Sequence, residues 1–436
     1  MHEHVKKHNL PAGTFINMKI SGDGAKVSRV SNFVTLSAVF TDESDSAQLK
    51  TLAIVKCAEN FENLKVSCEP VFREIREIQN LGEIDIDGKL YPVSFKFGGD
   101  MKFIQLCLGL NGSTATHACP WCHVSKSERL DLSKPMAYYE SKEMKRTTQS
   151  LEINSSIRKL GSKNPPLIHI EPENIVLDEL HLLLRVCDVL LSNLIDDCKQ
   201  LDSKLDVLGE KPHHLEDLVS KIRDCGVSFS TWTDKETSEL NWSSFTGSDY
   251  HKLIRQLPDK LCFVISNDTH DQVVFLWREF GKIHHCVTNE NIEKSELFSM
   301  IKEWMLTFQG LSLKGRKGYD RVTIYMHALL YHVPWMIEKH GILRQFSGQG
   351  VEKLNDIVKQ IHQKSSNRLN QAHDELMVRK RIEQFSQYQR KKRSYTKSNA
   401  DFWERDIFDL RSAKQRKIEN DMCTAHSEYI ERNKEN

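Results

Sequence analysis

Residues 98–124 read GGDMKFIQLCLGLNGSTATHACPWCHV. A lone carboxylate, Asp100, follows two glycines and precedes a nearly all-apolar run that ends in Cys119-Pro120-Trp121-Cys122. Asp100 fits the N-cap of a helix expected over 101–110, where its carboxylate would accept hydrogen bonds from orphan amides. It also fits a ligand for a hard cation. The two-residue gap between Cys119 and Cys122 lets both sulfurs reach one zinc ion, so the stretch is half of a metal site or simply two buried thiols.

Upstream of Asp100 the pattern is that of a small mixed sheet. The stretch 15–20 (FINMKI) puts Ile16, Met18 and Ile20 on one face, and the turn Ser21-Gly22-Asp23-Gly24 is expected to end that strand. Val34, Leu36, Ala38 and Phe40 alternate in a second strand, and 51–56 (TLAIVK) forms a third. Phe72, Ile75 and Ile78 keep helical spacing after Pro70. Ile84-Asp85-Ile86, Asp87-Gly88 and 93–97 read as a hairpin with a strong short turn signal.

Downstream the pattern turns helical. The stretch 176–191 (VLDELHLLLRVCDVLL) predicts one buried helix, apolar nearly all round. Further helices are expected over 215–225 and 294–308, and 162–166 (SKNPP) reads as a linker. In 344–364 (RQFSGQGVEKLNDIVKQIHQK), Val351, Leu354, Val358 and Ile361 form the apolar stripe of a helix that starts after Ser347-Gly348, with Glu352 in its first turn.

Composition sets outer bounds. The 436 residues are 28% charged and 39% hydrophobic, enough for a sizeable core. No run of about eighteen apolar residues occurs, and the first ten residues lack the apolar middle of a signal peptide; no membrane partner and an intracellular address are expected. Only one close pair stands among 11 cysteines, which favours reduced thiols and one metal site over a disulfide framework. Net charge is +1, yet the stretch 376–397 holds Arg379, Lys380, Arg381, Arg390, Lys391, Lys392 and Arg393 with interleaved aromatics. Such a strip suits a phosphate backbone or a nuclear import signal, or is a solvated helix face.

The cysteine pair needs two more ligands. His327 and His332 in HALLYH are five apart and do not share a face of an ideal helix, but Pro334 disfavours helix at Val333 and lets His332 turn away. His117, His123 and the His284-His285-Cys286 run are competing partners. Among carboxylates, Asp23 in a Gly-Asp-Gly segment, Asp100 at a strand end and Glu352 opening a late helix each have a plain structural role. Together they can converge at one sheet edge and hold two magnesium or manganese ions about 4 Å apart, the arrangement that activates water and stabilises a leaving oxygen of a phosphodiester.

In order, SGDGAKVSR, GGDMKFIQLCLGLNG with CPWC, LDELHLLLRV around His181, HALLYH and GILRQFSGQGVEKLND resemble the catalytic core of the V(D)J recombinase and the related Transib transposases. The resemblance covers most of 14–370, and the order Asp, Asp, Cys pair, His pair, Glu is its most specific feature. It implies an α/β, ribonuclease H-like mixed sheet split by a long, mainly helical, zinc-bearing insertion. Its divisions are an N-terminal remnant (1–12), the first part of the core (13–118), the insertion (119–345), a closing helix (346–375) and a basic helical or partly disordered tail (376–436). It implies a nuclear DDE enzyme that cleaves and transfers DNA strands, with Asp23, Asp100 and Glu352 on two magnesium or manganese ions. Cys119, Cys122, His327 and His332 would hold one structural zinc. Implied partners are DNA, a second copy of the chain and an accessory recombinase subunit. The chain opens close to the first catalytic strand, as expected of a truncated or domesticated relative. The competing expectations are a non-catalytic, zinc-stapled DNA-binding or interaction protein derived from such an element, and a zinc-bearing scaffold with no nucleic-acid partner.

Overall fold

The computed structural model of the protein describes residues 1–28, 31–41, 49–290, 292–364, 370–386 and 405–432. Residues 1–378 form one compact unit and 379–436 a second.

The first unit is built on a six-stranded mixed sheet. Its strands are β1 (Ile16–Lys26), β2 (Asn32–Phe40), β3 (Lys50–Val55), β4 (Glu83–Ile86), β5 (Lys89–Gly99) and β6 (Ile175–Leu177). The order is β3-β2-β1-β5-β4, with β6 also paired to β5. β1, β2 and β3 run antiparallel, while β5 lies parallel to β1 and β6 parallel to β5. The crossover from β3 to β5 runs through helices Phe61–Ser67 and Glu69–Leu81 and the strand β4. Alternation explains the strands: Ile16, Met18 and Ile20, like Val34, Leu36 and Ala38, are buried.

Two expectations change here. β1 does not end at Ser21-Gly22-Asp23-Gly24 but runs through it to Lys26, paired with β2 throughout. The glycines serve close packing rather than a turn. A Cβ on Gly22 would stand 2.2 Å from the ring of Phe103, and one on Gly24 would stand 2.8 Å from Glu59. The helix expected over 176–191 begins instead at Glu179 and runs to Val207, because Ile175–Leu177 are strand β6 and Asp178 caps the helix. Three buried apolar residues fit either period, so the pattern alone could not separate them.

Smaller differences have local causes. The helix after Asp100 spans Met101–Cys107, and Leu110 leaves it to bridge Ser162. The stretch 162–166 is no free linker: the amides of Lys163 and Asn164 donate to the Gly109 carbonyl at 2.8 and 3.0 Å. Helices His214–Arg223, Gly247–Gln256, His270–Asn289, Lys294–Leu313, Ile324–Tyr331 and Val333–His340 follow Glu179–Val207, with a small hairpin of Thr231–Thr233 and Leu240–Trp242. Their apolar faces join the sheet in one continuous core. Helix Gln349–Lys364 then packs back on β1 and β2, burying Leu354 and Val358 with Ala25, Val27 and Phe33. No described helix is long and apolar enough to cross a membrane.

Of the basic strip, Lys380 and Arg381 are exposed on helix Gln371–Ser386, which also includes Arg379. Arg390, Lys391, Lys392 and Arg393 lie outside the described residues. Within the second unit, helix Arg405–Arg432 exposes Ile407, Leu410 and Ile418.

Candidate metal centres

The register of the two central parallel strands builds the first centre. Gly22 pairs with Gly99, so Asp23 and Asp100 are the next residues along two adjacent strands. Asp100 is the N-cap of Met101–Cys107, accepting the Phe103 amide on Oδ1 at 2.6 Å, and the Met101 amide donates to the Tyr325 hydroxyl at 3.2 Å. A third acid joins them. Glu59, just before the cap of helix Phe61–Ser67, brings an oxygen within 4.8 Å of Asp23 and Asp100. Lys102 is ion-paired with Glu59 at the rim.

Crowding of like charge shows in the proton affinities. Burial, then Asp100 and Glu59, raise Asp23 to about 6, against a smaller opposing effect of His181. Burial likewise raises Glu59, opposed by Lys102 and supported by Asp100. A divalent cation would relieve this repulsion, and three convergent carboxylates offer the kind of hard oxygens that magnesium or manganese takes.

Glu352 does not join that trio. It opens helix Gln349–Lys364 as expected, half-buried, with Oε1 3.9 Å from His181 Nε2. Burial raises its carboxyl, His181 lowers it and Asp178 raises it. His181 is in turn bonded through Nδ1 to Asp178, the fully buried N-cap of Glu179–Val207. Burial alone would lower the His181 imidazole. The Asp178 bond and the charges of Asp178, Asp100 and Glu352 prevail and raise it to about 9.

The turn before Glu352 is fixed from below. The Gly348 amide donates to Asp178 Oδ1 at 2.7 Å, and a Cβ there would meet Asp178 Oδ2 at 2.2 Å. Lys19, buried in β1, donates to the Phe346 carbonyl and to that of Ser347 at 3.3 Å. Burial pulls the Lys19 ammonium down to about 8, with Asp178 and Glu179 opposing.

The second centre is buried. Cys119, Cys122, His327 and His332 place one donor atom each within 4.8 Å of all the others. Cys119 Sγ lies 3.3 Å from His332 Nε2, and Cys122 Sγ 3.3 Å from His327 Nε2. With Zn–S of about 2.3 Å and Zn–N of about 2.0 Å, a tetrahedral sulfur-to-nitrogen edge is roughly 3.5 Å, so the donor set and spacing fit zinc. His332 sits between helices Ile324–Tyr331 and Val333–His340, whose second residue is Pro334. That break lets two histidines five apart face one point.

Burial disfavours charge on both sulfurs. Around Cys119 the Cys122 thiol and the His332 and His327 rings outweigh it and draw the thiol well below its usual range. Burial and the charged Cys119 push Cys122 well above it. A divalent ion would draw the proton from Cys122 and offset the charge of both sulfurs. Burial lowers His327 to about 4, leaving a neutral imidazole with a free lone pair. Arg146 holds the knuckle, its Nε donating to the carbonyls of Cys119 and Cys122 at 2.8 and 3.1 Å. None of the rival histidines joins the four-donor group: His117 bonds the His123 carbonyl at 2.8 Å, and His284 Nε2 lies 3.4 Å from Glu179.

Glu59 has no mark in the sequence, and Asp178 is hidden inside the stretch read as helix, whose first residues are strand and cap. Asn355, which bonds Asp23, left one trace: an amide on the apolar stripe of the Glu352 helix. Neither a protein-family model nor a curated protein matches the chain.

Proposed function

We propose that the protein is a DDE transposase- or recombinase-like polynucleotidyl transferase with a ribonuclease H-like core, split by a zinc-stapled helical insertion. The observation that carries this reading is the convergence of Asp23, Glu59 and Asp100 where the parallel pairing of β1 with β5 ends. The sheet order supports it, with β3, β2 and β1 antiparallel and β5 and β6 parallel beyond β1, while β4 adds an antiparallel pairing to β5. Bound magnesium or manganese would supply Lewis acidity for water activation and for the leaving oxygen. Asp23, Glu59 and Asp100 would hold the cations and set their separation. His181, kept protonated by Asp178, would orient Glu352 toward the site and offer a positive charge to a scissile phosphate. Lys102, exposed beside Glu59, would contact an adjacent phosphate once cations replace it there.

Cys119, Cys122, His327 and His332 would bind one structural zinc that fastens the two ends of the insertion. The basic residues from Arg379 to Arg393 would bind DNA and direct nuclear entry. A second copy of the chain and an accessory subunit remain part of this proposal.

The test is strand cleavage and joining on plasmid DNA with magnesium or manganese. Wild type is expected to nick, and Asp100→Asn to lose this activity. Equal activity in Asp23→Asn, Asp100→Asn and wild type overturns the reading. A second reading, a zinc-stapled DNA-binding protein without catalysis, is favoured by one observation: Glu352 stands apart from the trio. Steeply salt-dependent DNA binding with no metal-dependent cleavage decides for it.

A further inference from the structure

Asn355 lies one turn after Glu352, within the stripe of Val351, Leu354 and Val358, and is 3% exposed. A buried amide is costly unless both of its ends are bonded. Here both are. The Thr35 hydroxyl donates to Asn355 Oδ1 at 2.7 Å, and Asn355 Nδ2 donates to Asp23 Oδ2 at 2.6 Å. Thr35 faces Asp23 across the antiparallel pair β1–β2 and is fully buried.

The order of donors is determined. A hydroxyl has one proton to give. The Asp23 carbonyl, the other acceptor beside Thr35, is at 3.5 Å, so the proton goes to the amide oxygen. That bond selects one of two amide orientations of nearly equal shape, the one that turns N–H toward the carboxylate.

The charge of the donor also matters. Glu59 is held by a lysine, which cancels its charge until it leaves. Asp23 is held by a neutral donor, which fixes one oxygen and leaves the full negative charge for a cation. The same helix carries Glu352 to His181, so one docking event delivers both contacts.

We propose that Asn355, oriented by Thr35, is a positioning residue that fixes the Asp23 carboxylate for divalent-cation binding when helix Gln349–Lys364 seats on the sheet. This rests on reading the acidic trio as a cation site. It acts through Asp23 and touches neither cation nor substrate.

The test uses the full chain and Mn²⁺ alone, titrated by electron paramagnetic resonance. Zinc content and thermal melting serve as controls for folding. Asn355→Ala is expected to weaken Mn²⁺ binding by about tenfold or more, the usual cost of losing an outer-shell partner. Thr35→Val, which removes only the orienting proton, is expected to weaken it in the same direction by a smaller factor. Thr35→Ser, which restores the hydroxyl, is expected to bind as wild type does. A purely packing role would give no such rescue pattern. Unchanged Mn²⁺ affinity in folded Asn355→Ala overturns the proposal. Should that variant not fold, unchanged affinity in Thr35→Val overturns it instead. If wild type itself binds no Mn²⁺ at the trio, this proposal and the cation reading of the site fall together. If wild type and Asn355→Ala bind it alike, this proposal alone falls.

Discussion

Asp100 combines two jobs that one carboxylate can do at once. Its Oδ1 caps a helix through the Phe103 amide, and the group as a whole faces Asp23 and Glu59. Asparagine caps about as well as aspartate but carries no charge, whereas alanine does neither. Asp100→Ala is therefore expected to lose about 1 kcal/mol of stability in urea melts, and Asp100→Asn to stay near wild type. Both are expected to lose metal-dependent cleavage, which separates cap from ligand. His181 gives a second case. Its folded-state proton affinity is raised to about 9 because Asp178 and the nearby acids outweigh burial. The folded chain then holds the proton more tightly than the unfolded chain, whose imidazole titrates near 6.5. The stabilisation is complete below about pH 6.5 and is lost as pH rises through about 9. His181→Gln is expected to lower the urea midpoint clearly at about pH 6 and only slightly at about pH 10, in magnesium-free buffer. An equal loss at both values would show that the ring acts by packing alone.

Elements differ in how openly the sequence declares them. The hairpin of β4 and β5 turns at Asp87-Gly88, both left-handed, and was legible from two residues and the alternation beside them. Helix Gln349–Lys364 was legible from its stripe, and the Asp100 helix from its cap. β6 was not, because Ile175–Leu177 has no period of its own and gains its identity from pairing with β5. Glycine misled for a related reason. Gly22 and Gly24 look like a turn, but their missing side chains make room for Phe103 and Glu59, partners that only the fold brings near. For the same reason the sequence showed Asp23 and Asp100 but not Glu59. Of the buried donor set, the cysteine pair was legible from its spacing; spacing left His327 and His332 in competition with other histidines, and the resemblance selected them. Gly348 tests how far the closing helix depends on its entry turn. Gly348→Ala would drive a Cβ against Asp178, at 2.2 Å, and break the amide bond that holds the turn. The expected cost is about 1–3 kcal/mol, with loss of the activity that depends on Glu352. Chemical melts and the cleavage assay would check both, and a neutral outcome would mean that the turn relaxes freely.

At the scale of the whole chain, segments far apart in sequence share one core and also meet at specific polar contacts. Cys122 and His327 stand 205 positions apart, and the Lys19 and Asp178 contacts to 346–348 reach across 327 and 170. An ion at the four buried donors would fasten the two ends of the helical stretch between Cys122 and His327, and its binding free energy would add to folding. One zinc per chain is expected by metal analysis, lost in Cys119→Ser and in His332→Ala with a marked drop in melting temperature. Retained zinc in His332→Ala would return the ligand role to another histidine. The net charge of +1 makes the distribution of charge, not its sum, the guide to a polyanionic partner. Arg379 to Arg393 concentrates cations in the second unit, and each phosphate contact contributes about 0.9 to the slope of log affinity against log salt. Replacing Lys391, Lys392 and Arg393 by glutamine is expected to weaken duplex binding across all sequences and to flatten that slope by up to about 3. Mn²⁺ affinity should not move, because the acidic trio belongs wholly to the first unit. An unchanged slope would assign the strip to a solvated helix face and move DNA contact to Lys102 beside the carboxylates.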